Sequence, residues 1–205
     1  MLKQNDVFYI LDELDKLFPD ASCELIYHNL YELIIAVVLS AQTTDKRVNM
    51  VTPVLFSKYP TKEDLANADI NDVINIISSL GLAKNKANNI VSLSKVLLDK
   101  EIPNNLDDLM ALPGVGRKTA NVVLSEGFKI NRIAVDTHVA RVSKRLGFAD
   151  YNDDVLTIEN KLMALIPNEE WSHAHHLFIH FGRYLCKAQN PDCTNCPLKK
   201  YCIKE

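Results

Sequence analysis

The chain never sustains the alternation of apolar and polar residues that a half-buried strand requires; apolar positions recur at helical spacing instead. Ile90, Val91, Leu97 and Leu98 stand at i, i+1, i+7 and i+8, which is one face of a helix. Pro53, Pro60, Pro103, Pro113 and Pro167 punctuate the sequence. A proline inside a helix removes a hydrogen bond and crowds the preceding turn, so the segments between them are expected to be short. Thr61-Lys-Glu-Asp64, just after Pro60, has capping-box form and opens a short helix. The reading is an all-α protein of about ten helices with short connections. The 205 residues suffice for one or two lobes, each with its own core.

Charge restricts the partners less than its distribution does. The formal net charge is −3, which does not favour a polyanion-binding protein. From Arg117 to Arg145, however, seven basic residues face two acidic ones, so this stretch is +5 and the remainder −8. Such a run is either solvated helix surface or the footprint of a nucleic acid. No apolar run reaches the roughly 18 residues of a membrane span. The opening Met1-Leu-Lys-Gln-Asn-Asp6 lacks the apolar segment of a signal peptide. A cytoplasmic protein in a reducing environment is expected, with no membrane partner.

In that environment, clustered cysteines read as a metal or iron–sulfur site rather than as disulfides. Four of the five are spaced Cys186-x6-Cys193-x2-Cys196-x5-Cys202. Four thiolates hold either zinc or a [4Fe–4S] cluster, and the spacing leaves both open. Cys23 reads as a packing residue. His173, His176 and His180 share one helix face and read as helix-packing side chains; no metal is assigned to them.

Between residues 112 and 119 the chain reads Leu-Pro-Gly-Val-Gly-Arg-Lys-Thr, with helical segments on both sides. Pro113 fixes φ, and Gly114 and Gly116 both permit positive φ, so a tight turn without bulky side chains is expected. The helix opening near Arg117 would present its first amides to a phosphate. A plain interhelical turn is the alternative. The segment lacks the third glycine of a dinucleotide fingerprint, and Arg117 follows Gly116 where a P-loop has Lys. Leu80-Gly-Leu-Ala-Lys-Asn-Lys-Ala87 is a weaker echo of the same turn-then-helix pattern.

Leu112-Pro-Gly-Val-Gly-Arg-Lys-Thr-Ala-Asn121, followed by Val135-Asp-Thr-His138 and preceded by Ser40-Ala-Gln-Thr-Thr-Asp45, resembles the endonuclease III family of helix-hairpin-helix DNA glycosylases. The likeness runs over almost the whole chain. It implies a six-helix barrel with the hairpin motif over residues 22–131. A second lobe would join residues 1–21 to 132–205 and carry a [4Fe–4S] cluster on Cys186, Cys193, Cys196 and Cys202. DNA would lie between the lobes. The resemblance implies that the backbone of Gly114, Val115, Gly116, Arg117 and Thr119 grips a DNA phosphate, a contact that positions without reading sequence.

It further implies that Lys118 is the nucleophile, with Asp136 as its carboxylate partner. The positive end of a helix dipole disfavours an ammonium in the first turn, and a neutral amine is what attack on a sugar C1′ requires. Without the resemblance, Lys118 reads as a phosphate contact and Asp136 as a helix N-cap. The family extrudes the damaged nucleotide from the duplex. Gln42 and Leu82 would fill the vacated space, with Ser40, Asp45 and His138 near the extruded base. The alternatives are a helix end and cap for Ser40–Asp45 and a core position for Leu82. Lys187-Ala-Gln-Asn-Pro-Asp192, with one lysine and one aspartate, is poorer in positive charge than the family's DNA-contacting cysteine loop.

The expected activity is excision of oxidised pyrimidines from duplex DNA, followed by β-elimination at the abasic site through a lysine Schiff base. The expected enzyme is a cytoplasmic, nucleoid-associated monomer that binds double-stranded DNA with damaged bases or abasic sites. An adenine-mismatch glycosylase would carry a catalytic Glu on the helix ahead of Gln42, and Ile34–Ala41 contains no acid. A thymine-mismatch glycosylase typically lacks the lysine. A non-enzymatic helix-hairpin-helix DNA-binding module would not need Lys118 together with Asp136.

Overall fold

The computed structural model describes residues 2–203, and among them there is no strand. The described residues divide into two compact units, 24–129 and 2–23 with 130–203. The unit 24–129 contains α2 (Leu30–Leu39), α3 (Asp45–Lys58), α4 (Lys62–Ala66), α5 (Ile70–Ile76), α6 (Ala83–Val96), α7 (Leu106–Met110) and α8 (Arg117–Val122). Its organising element is α2. Every residue from Leu33 to Leu39 is buried, so this stretch has no polar face to turn outward. α3, α6, α8 and the π-helical turn Val123–Gly127 that continues α8 pack around it.

Helix starts follow the short polar residues. Asn29 accepts from the Glu32 amide at 2.8 Å, Asp69 from Asn71 at 2.9 Å and Asn105 from Asp108 at 3.0 Å. Thr61 and Asp64 form the expected reciprocal capping box at the head of α4. Ile90 and Val91 are buried on α6 as expected. The helix ends at Val96, so Leu97 caps it from a buried site and Leu98 lies half-buried in the turn beyond.

Pro53 departs from its expected role. It sits inside α3 rather than at a boundary. The buried face of Val48, Val51, Thr52 and Leu55 runs past it, and that packing outweighs the roughly 3 kcal/mol a mid-helix proline costs.

The unit 2–23 with 130–203 is built from α1 (Gln4–Leu17), α9 (Thr137–Arg145), α10 (Val155–Leu165) and α11 (Trp171–His180). α11 continues into a second π-helical turn, Phe181–Leu185. The core joins Ile10 and Leu14 of α1, Val139 and Val142 of α9, Ile158 and Leu162 of α10, and Phe178 of α11. Phe148 meets Phe178 edge to face at 5.2 Å. Ser22, Cys23, Ile130 and Asn131 group with this unit. Asn131 reaches Asn168 at 3.5 Å and the Ser172 hydroxyl at 3.4 Å.

The histidines of α11 take packing roles. His173 meets Asp15 at 2.7 Å, His175 is buried, and His180 stacks edge-on against Phe18 and Tyr184. Among the described residues no helix is long and apolar enough to cross a membrane.

Phe178 is 1% exposed. Phe178→Ala should cost about 3–5 kcal/mol of stability, read from urea midpoints at unchanged m-value.

Candidate active site

The hairpin joins α7 to α8, which pack on each other. Leu112 donates to Leu109 O at 3.1 Å, and Val115 donates to Leu112 O at 3.1 Å, closing a tight turn. Gly114 takes φ +75 and lies against Asn89 of α6. A Cβ on Gly114 would fall 2.8 Å from the Asn89 side chain, so both conformation and space demand glycine there.

Gly116 corrects one expectation: its φ is −92, ordinary extended backbone as the N-cap of α8. A Cβ there would meet nothing within 4 Å, so nothing in the chain's own packing requires glycine at 116. Val115 corrects another. Its side chain is buried and its amide is spent inside the turn, so it anchors the hairpin and has no amide left for a phosphate.

Lys118 is half-buried in the first turn of α8, two residues after the N-cap. Arg117 and Thr119 flank it and are also half-buried. In the same unit, Ser40 ends α2 and its hydroxyl donates to Val37 O at 2.8 Å. The cap of α3 is Thr44, with Asp45 as the first helical residue. Gln42 is exposed with φ 54, and Leu82 is 55% exposed with φ 60 as the N-cap of α6. Leu82 is therefore not a core residue. Two non-glycine residues in the left-handed region are costly to hold, and both lie among the segments the sequence singled out. The echo between residues 80–87 and 112–120 holds in that both open a helix, but at 82 a leucine takes the left-handed turn.

In the unit 2–23 with 130–203, Asp136 is the N-cap of α9. Its Oδ1 accepts from the amides of His138 and Val139, both at 2.8 Å. Oδ2 takes no hydrogen bond among the described residues, so half the carboxylate is structural and half is available. His138 is half-buried, and its Nδ1 accepts from Arg141 Nη2 at 3.1 Å; a neutral ring therefore carries its proton on Nε2.

Arg141 and Arg145 belong to the basic stretch but do not act as loose surface charge. Arg141 donates to Gly182 O at 2.7 Å and Cys186 O at 3.1 Å. Arg145 donates to Lys187 O at 2.8 Å and to Cys186 Sγ at 3.3 Å. Burial and then the neighbouring Arg145 charge push the Arg141 guanidinium below its ordinary range.

Cys186, Cys193, Cys196 and Cys202 line one cavity, walled by Phe181, Leu185 and Leu146. Burial pushes the Cys196 thiol up. Among the described residues no three His, Cys, Asp or Glu side chains are grouped closely enough to hold a metal ion. In the loop ahead of Cys193, Asp192 accepts from Asn195 at 2.9 Å, so its charge holds the loop's shape.

The model of the HhH-GPD superfamily of base excision DNA repair proteins matches residues 35–168. Endonuclease III of Bacillus subtilis (strain 168) is 50% identical over 205 residues, covering 98% of this chain and 94% of the relative. This chain belongs to the endonuclease III family. Endonuclease III of Rickettsia felis is 46% identical over 202 residues, 97% of this chain and 92% of the relative. A solved trapped endonuclease III–DNA covalent intermediate superposes with a TM-score of 0.95 at 55% identity, over 99% of this chain and 97% of that one. A thermostable thymine-DNA glycosylase shares the fold, with a TM-score of 0.86 at 20% identity over 97% of this chain and 96% of its own.

For this family member, the two roles of Asp136 separate by mutation. Asp136→Ala should lose about 0.5–2 kcal/mol through the empty cap, whereas Asp136→Asn keeps an acceptor for both amides and should lose a few tenths at most. Urea denaturation of the two variants reads the difference.

Proposed function

We infer that this endonuclease III family member is a DNA glycosylase with abasic-site lyase activity, acting on oxidised pyrimidines in duplex DNA. The full-length match to endonuclease III carries the reading, reinforced by a structural neighbour in covalent complex with DNA. A covalent intermediate needs a protein nucleophile, and Lys118 is the amine carried on the hairpin. The thymine-DNA glycosylase neighbour, at 20% identity, speaks for the fold alone.

The proposed chemistry runs in two stages. The hairpin positions the strand through the backbone at Gly114, Gly116, Arg117 and Thr119, with open space at Gly116 to admit a phosphate oxygen. Asp136 Oδ2 stabilises positive charge developing on the sugar as the N-glycosidic bond breaks. The Lys118 amine attacks C1′ and the base leaves with a proton, giving a Schiff base after ring opening. Loss of a C2′ proton then expels the 3′ phosphate, and water releases Lys118. Gln42 and Leu82 fill the space of the extruded nucleotide, and Ser40, Asp45 and His138 contact the extruded base. The monomeric enzyme works on nucleoid DNA in the cytoplasm.

The four cysteines fit a [4Fe–4S] cluster. The donor set is all thiol, the four cysteines line one cavity, and Arg145 offers a hydrogen bond to Cys186 Sγ that offsets thiolate charge. Such a cluster, when bound, would fasten the C-terminal loop covalently to Cys186 at the end of the turn that extends α11.

Borohydride added during turnover of a duplex carrying thymine glycol or an abasic site should trap a protein–DNA adduct. Lys118→Ala should abolish it, and Asp136→Asn should lower base excision about 100-fold or more while remaining folded. Active protein that yields no adduct would sink the lyase assignment. The purified protein should be brown, with visible iron–sulfur absorption; a colourless protein carrying zinc would refute the cluster.

A further inference from the structure

Lys86 is a charged side chain that the mechanism above does not use, and it is only 3% exposed. It lies one turn into α6, near the positive end of that helix, and burial pushes its ammonium below the ordinary lysine range. Lysine is almost never buried without a reason.

Its bonds supply one. The Lys86 amide donates to Leu82 O at 3.0 Å, the first bond of α6. Its Nζ donates to Thr43 Oγ1 at 2.6 Å. Thr43 is the neighbour of Gln42; its amide donates to Ser40 O at 3.0 Å and its hydroxyl to Ala41 O at 3.5 Å. One residue thus grips Leu82 with its backbone and the Gln42 loop with its side chain. The two gripped positions are both exposed non-glycine residues that hold left-handed backbone. Left-handed φ at a leucine persists only where the surroundings over-determine it.

We propose that Lys86, through its bond to Thr43, is a positioning residue that clamps Gln42 and Leu82 into one rigid wedge for displacing a base from the duplex. The inference rests on the reading of Gln42 and Leu82 as the residues that fill the vacated space. A wedge made of two independent loops would lose ordering entropy each time it entered DNA; a clamped one has lost it on folding. The clamp therefore matters most where a stacked, paired base must be pushed out, and less at an abasic site, where no base resists.

The test uses the full-length, cluster-loaded protein with Lys86→Met, Thr43→Val and Leu82→Ala. Single-turnover excision from a duplex with thymine glycol opposite adenine is compared with β-elimination on the same duplex carrying an abasic site. Lys86→Met and Thr43→Val should each slow excision about tenfold, and at least threefold more than they slow β-elimination. A 2-aminopurine beside the lesion should lose the matching part of its fluorescence rise on binding. Lys86→Arg, which keeps a cation, should recover part of the excision rate.

Equal losses on both substrates would reduce Lys86 to a structural residue and overturn the proposal. Full excision by both clamp variants beside a slow Leu82→Ala would leave the wedge and remove the clamp. Full excision by Leu82→Ala would end the wedge reading and the clamp with it. Should Lys86→Met fail to fold, the half-buried Thr43→Val decides the same comparison.

Discussion

A helical stretch that is apolar on every side must be surrounded, and residues 33–39 of α2 form such a stretch. Burying Leu33 through Leu39 requires neighbours on all faces, and those neighbours carry the residues proposed to act on DNA. The end of α2 at Ser40 leads into the Gln42 loop. α6, packed on α2, begins at Leu82. α8, also packed on α2, begins at the hairpin and carries Lys118 in its first turn. Three loops are thus mounted on one hydrophobic axle, and their spacing is as rigid as its packing.

The other unit uses the opposite currency. There, polar groups are shared between structure and the proposed chemistry. Asp136 commits Oδ1 to two amides, and among the described residues Oδ2 takes no hydrogen bond. Arg141 and Arg145 bind the backbone around Cys186, so part of a charge run that suggests a DNA-binding surface is turned toward the cysteine loop. Holding Asp136 by a cap also fixes its direction, since the carboxylate cannot rotate without giving up two bonds.

Helix type, caps and the hairpin were legible because each is local: a Thr-x-x-Asp, an Asn or Asp before an apolar run, a Pro-Gly-Val-Gly between helices. The family resemblance named Lys118, Asp136 and the cysteines through short motifs of the same kind. What escaped depends on partners far along the chain. Pro53 is tolerated because a buried face spans it. Gly116 looked like a second left-handed glycine, yet the turn needs only Gly114. The amide of Val115 is consumed by Leu112, which only the turn geometry reveals. Lys86 gave no sign in the sequence, since a lysine in a helix reads as surface and its partner Thr43 is 43 residues away.

The two π-helical turns have a consequence for how this chain tolerates change in length. Val123–Gly127 follows the helix that bears Lys118, and Phe181–Leu185 runs directly into Cys186. A π-turn accommodates one residue more than a regular turn. Removing one residue from Phe181–Leu185 would restore a regular helix, but would rotate everything beyond it by about 100°. Cys186 would then swing away from Arg145, although both side chains remained present. The extra residue acts as a phase setting, so in this stretch the number of residues carries information that their identities do not.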